Sequence, residues 1–209
     1  MHICVIVNKG SGAASGQDWE ARRAELIDAF ARRGVEAFIV VASGDEIQRQ
    51  ARIALQEAAK GRFDAIVIGG GDGSVSAVAG VLAGRDVPLG VLPLGTLNHF
   101  AKDLGLPLDV AGAVDVIAAG HVRQVDVAKV NDRVFVNNSS IGLYADMVTD
   151  RNRQHSDTGR GKWAAMLIAA WRVLWRFSMR RLSIRTEGWL RPCKTPFVFI
   201  GNNVYDWSF

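Results

Sequence analysis

Four short apolar runs, separated by stretches with helical spacing, constrain the first 120 residues more than any other feature. They are ICVIV (3 to 7), VEAFIVV (35 to 41), AIVIG (65 to 69) and PLGVLP (88 to 93). Strands that alternate with helical segments in this way form a parallel sheet covered by helices. Between the first two runs, Trp19, Leu26, Ile27 and Phe30 recur at helical spacing with Arg and Glu on the opposite side. Between the second and third, Ser43 and Glu46 form a capping box ahead of Ile47, Ala51, Leu55 and Ala58 on one face. The pattern predicts a Rossmann-like α/β domain over residues 1–121.

From residue 122 the pattern changes. RQVDVAKV and RVFVNNSSIG read as two alternating strands joined by an Asn-Asp turn. A helical stretch over 161–177 follows, and then RRLSIRTEGWLRPCKTPFVFIGNN reads as strands around a Glu-Gly turn. A second, β-rich sandwich domain is therefore expected over 122–209. Within it, TPFVFIGNN is apolar on consecutive positions and reads as an interior strand needing a neighbour on each side. Six residues follow it, so this domain is expected to be incomplete, and the chain with it.

Cys4 and Cys193 lie far apart, which suggests neither a metal pair nor a disulfide framework and fits reduced thiols of a cytoplasmic protein. The opening MHICVIVNKGSG turns polar too soon for a secretion signal, and none is expected. Net charge is +4, but it is local: residues 151–191 hold ten Lys or Arg against Asp157 and Glu187 alone. In the same stretch, the apolar run from Trp163 to Trp171 is too short to span a bilayer, which needs about 20 such residues. Two readings stay open for residues 160–181: peripheral contact with the inner membrane face, and a helix packed through Trp163, Leu167, Ala170 and Leu174.

Three glycine-bearing loops follow predicted strands: NKGSG (8 to 12), GGGDGS (69 to 74) and PLGTLNHFA (93 to 101). In an open parallel sheet all three face one crevice at the carboxyl ends of the strands. Consecutive glycines let backbone N–H groups approach phosphate oxygens, and a following helix N-terminus adds positive potential. The spacing excludes a Walker loop, since no GxxxxGK[ST] occurs, and GGGDGS lacks the last glycine of a dinucleotide fingerprint. Asp72 sits inside the tightest glycine cluster, where a carboxylate repels phosphate. It has four readings there: binding a metal, orienting the loop, taking a proton, or capping the following helix.

These residues resemble the diacylglycerol kinase catalytic domain family, which includes bacterial lipid kinases and sphingosine kinases. NKGSG is similar to the family's Asn-Pro-x-Ser-Gly, GGDGS (70 to 74) to its Gly-Gly-Asp-Gly-Thr, and LPLGTLNHFAKDLGLP (92 to 107) to its Pro-x-Gly-Thr-x-Asn-Asp-x-Ala segment. VDVAKVNDRVFVNNSSIGLYADMV (125 to 148) resembles the start of its second domain. The resemblance implies phosphoryl transfer from ATP, with Mg2+, to a lipid hydroxyl such as that of diacylglycerol, in a cleft between two domains. It implies nucleotide binding by Asn8, Ser11, Gly12, Gly70, Gly71, Gly73, Ser74, Gly95, Thr96 and Asn98. Asp72 matches the motif aspartate, as general base or metal-linked carboxylate; Asp126 matches a carboxylate near the metal; Asp146 matches a position facing the lipid head group. The chain departs from the pattern at Lys9, where the family has Pro, at Ser74 for Thr, and at His99, where it has Asp.

The expected partner is thus a lipid at a membrane surface. The features are compatible with an oligomer, and nucleic acid is not expected, because the basic stretch lies outside the loop crevice. Two other readings compete: an NAD kinase, which shares the Gly-Gly-Asp-Gly loop, and a catalytically incomplete nucleotide-binding fragment.

Overall fold

The computed structural model describes residues 1–11, 19–142, 179–186 and 188–202. They fall into two compact units, one built from Met1–Asn137 and rejoined at Asn202, the other within Asn138–Gly201.

The first unit is a parallel sheet of β1 (His2–Asn8), β2 (Glu36–Ala42), β3 (Ala65–Gly70) and β4 (Leu89–Pro93), in the order β2-β1-β3-β4. The consecutive apolar residues of β1 are explained by burial of both faces. Cys4 and Ile6 join Ile66 and Ile68 on one side, while Ile3, Val5 and Val7 join Ala65 and Val67 on the other. Helices α2 (Gly44–Ala58) and α3 (Asp72–Leu82) cover the first side through Ile47, Ala51, Ala54, Val75, Val78 and Leu82. Helices α1 (Trp19–Ala31) and α5 (Val110–Ala119) cover the second through Leu26, Phe30, Ala113 and Val114. Each wholly buried Val, Leu, Ile or Phe contributes about 1.5–3 kcal/mol, so these two layers hold the sheet rigid. Burial also pushes the Cys4 thiol up to about 11, despite the opposing charge of Arg62, and keeps it protonated.

Local signals act as expected. The Glu46 carboxylate accepts hydrogen bonds from the backbone N–H (3.0 Å) and the hydroxyl (2.7 Å) of Ser43, fixing the start of α2. Ile27, expected on the apolar face of α1, is 40% exposed; Leu26 and Phe30 carry that contact. Helix α3 begins at Asp72, inside the segment GGGDGS read as a loop, so Asp72, Gly73 and Ser74 supply its first turn.

After α5 the chain forms a hairpin of β5 (Ala128–Val130) and β6 (Arg133–Phe135), turning at Asn131 with φ +52°. Val134 lies over Gly80 of α3, and Val136 is wholly buried in the core beside α2 and α3. The first unit therefore runs on to Asn137.

In the second unit β7 (Asn138–Gly142) pairs antiparallel with β10 (Phe197–Gly201), and β8 (Arg180–Thr186) with β9 (Trp189–Thr195). Gly188, at φ +91°, sits at the β8–β9 turn, where a side chain would be strained. Among the described residues β10 has one strand neighbour, β7, and Phe197, Phe199 and Ile200 are exposed. No helix among the described residues is long and apolar enough to cross a membrane. The helix expected over 161–177, and most of the basic stretch 160–181, lie outside the described residues.

Candidate functional site: three loops at the carboxyl edge of the sheet

Because β1, β3 and β4 are parallel, the loops after Asn8, Gly70 and Pro93 emerge at one edge. The strand order also places β2 and β3 on opposite sides of β1, so successive connections diverge at the β1–β3 boundary, where open α/β sheets take their ligands.

The three loops are tied together by polar side chains. Asn8 donates through Nδ2 to the hydroxyl of Ser74 on the first turn of α3 (2.8 Å) and accepts through Oδ1 from the N–H of Gly10 (2.9 Å). Ser11 and Ser74 are buried, and both hydroxyls lie beside Gly70. A Cβ there would come within 2.7 Å of the Ser74 Cβ and 3.3 Å of the Ser11 Oγ, so glycine is what lets loop one and α3 close up.

The second and third loops meet through glycine backbones. A Cβ on Gly95 would lie 2.4 Å from the Cα of Gly71, inside any permitted contact. Asn98, at φ +50°, holds the third loop in shape: its Oδ1 accepts from the N–H of Gly95 (2.9 Å), and its Nδ2 donates to the carbonyls of Pro93 (3.1 Å) and Gly95 (2.9 Å). Its left-handed backbone is one that asparagine tolerates better than most residues.

Asp72 joins all of this. Its Oδ2 accepts from the backbone N–H of His99 (3.1 Å), and its Oδ1 from the N–H of Phe100 (2.9 Å) and from Nδ2 of Asn137 (2.9 Å). Gly71, not Asp72, is the N-cap of α3. The carboxylate instead accepts from the first two N–H groups of the neighbouring helix α4 (His99–Asp103) and so ties the second loop to the third. Burial pushes its carboxyl up, and the bonds from Phe100, Asn137 and His99, with the His99 charge, outweigh it. Asp72 is thereby held below the usual carboxylate range.

Asn137 was not among the sequence candidates. The signal that could have found it is an asparagine directly after the buried Val136, where a strand pattern turns from apolar to polar.

Of the expected site residues, Asn8, Ser11, Gly70, Gly71, Asp72, Ser74, Gly95 and Asn98 are brought together. Gly73 lies on the first turn of α3, and Thr96 is exposed on the third loop. Asp126 is exposed, and its link to the cluster runs through its backbone carbonyl, which accepts from Nδ2 of Asn202 (2.7 Å). Gly12 and Asp146 lie outside the described residues.

The chemical consequence is a division of labour. The Asn8, Asn98 and Asp72 side chains are engaged in holding loops, so the groups free to meet a ligand are backbone N–H groups. Those at the first turn of α3, on Asp72 and Gly73, have no partner within the helix and sit at its positive end. Such a cradle suits a polyphosphate.

Comparison with known proteins bears on the family and the fold. The sequence model of the family described as diacylglycerol kinase catalytic domain matches residues 2–130. Diacylglycerol kinases of Staphylococcus aureus strains JH9 and Newman are each 33% identical over 135 residues, 64% of this chain and 41% of theirs. The match thus spans about two fifths of the length of these curated relatives. A crystal structure of a diacylglycerol kinase from Bacillus anthracis Sterne superposes with a TM-score of 0.67 at 25% identity, covering 98% of this chain and 65% of that one. A further crystal structure from the same strain gives 0.69 at 25% identity, covering 98% and 67%.

Proposed function

Since the chain belongs to the diacylglycerol kinase catalytic domain family, we propose that it takes part in transferring the γ-phosphoryl group of ATP to the hydroxyl of diacylglycerol or a related lipid. The observation that carries this reading is the closure of three glycine loops at one sheet edge, with Asp72 bridging α3 to α4.

Phosphoryl transfer asks a protein for positioning and charge neutralisation more than for covalent chemistry. Here the N–H groups of Asp72 and Gly73 on the first turn of α3 hold the phosphates, with Ser11 and Ser74 lining the floor beside Gly70. ATP with Mg2+ supplies, when bound, the transferable phosphoryl group and the neutralising cation. Among the described residues no three His, Cys, Asp or Glu side chains gather as a metal cage. Mg2+ in kinases commonly needs only one or two carboxylates besides the phosphates, and the exposed Asp126 is the residue we assign to it. Asp72 is better fitted to orienting the loops than to general base work, because three hydrogen bonds keep its carboxylate ionised and weakly basic.

The lipid would be met at a membrane surface, with residues 160–181 as the basic contact and Asp146 facing the head group. The test is incubation of the protein with γ-labelled ATP and Mg2+ against diacylglycerol in mixed micelles, sphingosine, and NAD. Label in a chloroform-soluble product supports the proposal. Label in NADP, or nucleotide binding without transfer to any acceptor, would replace it with the NAD kinase or the binding-fragment reading.

A further inference from the structure

Asn137 carries an unusual load for one side chain. It is 7% exposed, its Nδ2 donates to Asp72, and its Oδ1 is buried without a hydrogen-bond partner. An amide oxygen buried in that state destabilises the fold, so its presence calls for an offsetting role. Its backbone carbonyl accepts from the N–H of Asn202 at 2.7 Å, and Asn202 in turn donates through Nδ2 to the carbonyls of Asp126 (2.7 Å) and Val136 (3.2 Å). These two asparagines stand where the chain leaves the first unit and where it returns.

We infer that Asn137, steadied by Asn202, is a positioning residue that fixes the aim of the Asp72 carboxylate between the second and third loops. The two donors from α4 each hold one carboxylate oxygen, and both belong to the third loop, so alone they tie Asp72 only to that loop. The third donor, on Oδ1 and from a separate element, gives the carboxylate an anchor that does not move with that loop. Any structural filler of similar shape would suit the packing at residue 137; only an N–H donor suits the carboxylate. Asn202 contributes by holding the backbone of Val136 and Asn137, so its effect reaches Asp72 through Asn137. The consequence for phosphoryl transfer rests on the function proposed above; the hold on Asp72 does not.

The experiment separates the two. Asn137→Leu removes the donor and the orphan oxygen together while keeping the side-chain shape, so melting temperature should stay close to that of the unaltered chain. The titration midpoint of the Asp72 carboxyl, followed by carbon-13 NMR with Asp72→Asn for assignment, should move upward. The other titratable group acting on Asp72 is His99, so the shift is read again in His99→Gln, where it should persist. Asn202→Ala, at a half-buried position, should move the midpoint in the same direction by less, and should add nothing on top of Asn137→Leu. In the transfer assay kcat should fall about tenfold with KM for ATP little changed, as for loss of one hydrogen bond to a charged group. A folded Asn137→Leu protein with an unmoved midpoint would overturn the inference, and so would an unmoved midpoint in Asn202→Ala if the Leu variant does not fold. A moved midpoint with no transfer by the unaltered protein supports the hold on Asp72 and removes the kinase reading instead.

Discussion

Gly95→Ala tests whether the second and third loops depend on backbone contact. The added methyl would sit 2.4 Å from the Cα of Gly71, 3.1 Å from its N, and 2.7 Å from Oδ1 of Asn98. Ordinary carbon contacts lie at about 3.5–4.0 Å, so the loops must separate by about 1 Å. Two of the three obstructing atoms are backbone, and the third belongs to an amide already committed to Gly95 and Pro93, so no flexible side chain can yield. Overpacking of this kind costs about 1–3 kcal/mol, which in a chain of this size lowers Tm by about 2–12 °C. A 1 Å displacement of a positioned group is worth up to about hundredfold, so Mg-ATP affinity should fall by one to two orders of magnitude. Gly71→Ala, whose Cβ would meet the Gly95 Cα at 3.3 Å, should do less, and Gly73→Ala, with nothing within 4 Å, should leave melting unchanged or raise it. Circular dichroism melts and titration calorimetry with Mg-ATP read both effects. If Gly95→Ala melts and binds as the unaltered protein does, the close approach of the loops does not govern the site.

Asp72 is held ionised in the folded state, so it contributes stability that is fully present above the ordinary carboxylate value of about 4 and lost as pH falls toward its depressed one. Asp72→Asn should accordingly lower Tm at neutral pH, with the gap to the unaltered protein closing on acidification; a gap that stays constant with pH would contradict the assigned hydrogen bonds. Cys4, buried and with its thiol raised to about 11, should resist alkylation at neutral pH until the chain is unfolded, while the half-buried Cys193 reacts in the native state. Early modification of Cys4, read by peptide mass mapping, would mean that β1 opens readily. Residues 160–181 should draw the protein to anionic vesicles, each nearby basic side chain adding on the order of 1 kcal/mol, with binding lost as salt rises. Sedimentation that is equal with neutral and anionic vesicles would favour the packed-helix reading.

The parallel sheet was legible because its signal is local and strong. A run such as ICVIV has no polar face to offer, and the structure buries Ile3, Val5 and Ile6 alike. The limits of that reading are also physical. A glycine cluster signals a loop by propensity, yet Asp72, Gly73 and Ser74 form the first turn of α3, because the cap at Gly71 and the buried Val75 and Val78 decide the helix start. The change from helical to alternating pattern at residue 122 marks a change of secondary structure. It does not say against what the new strands pack, and Val134 and Val136 pack onto α3 and the core beneath it.

At the site, spacing identified the loops but not the bonds between them. The partners of Asp72 are 27, 28 and 65 residues away, and nothing in a motif specifies such pairings. The resemblance gave nucleotide contacts to Asn8 and Asn98 as a matter of residue type. The structure engages both amides in the loops themselves, and the reason is general. A glycine-rich loop has no side chains with which to order itself, and each glycine loses more conformational freedom on folding than any other residue. Neighbouring Asn, Ser and Asp side chains must therefore supply the order, and in doing so they are withdrawn from the ligand. What remains to bind phosphate is the backbone that the glycines expose, so the glycines and the polar residues of these loops are two halves of one requirement, and a substitution in either should fail in the same way.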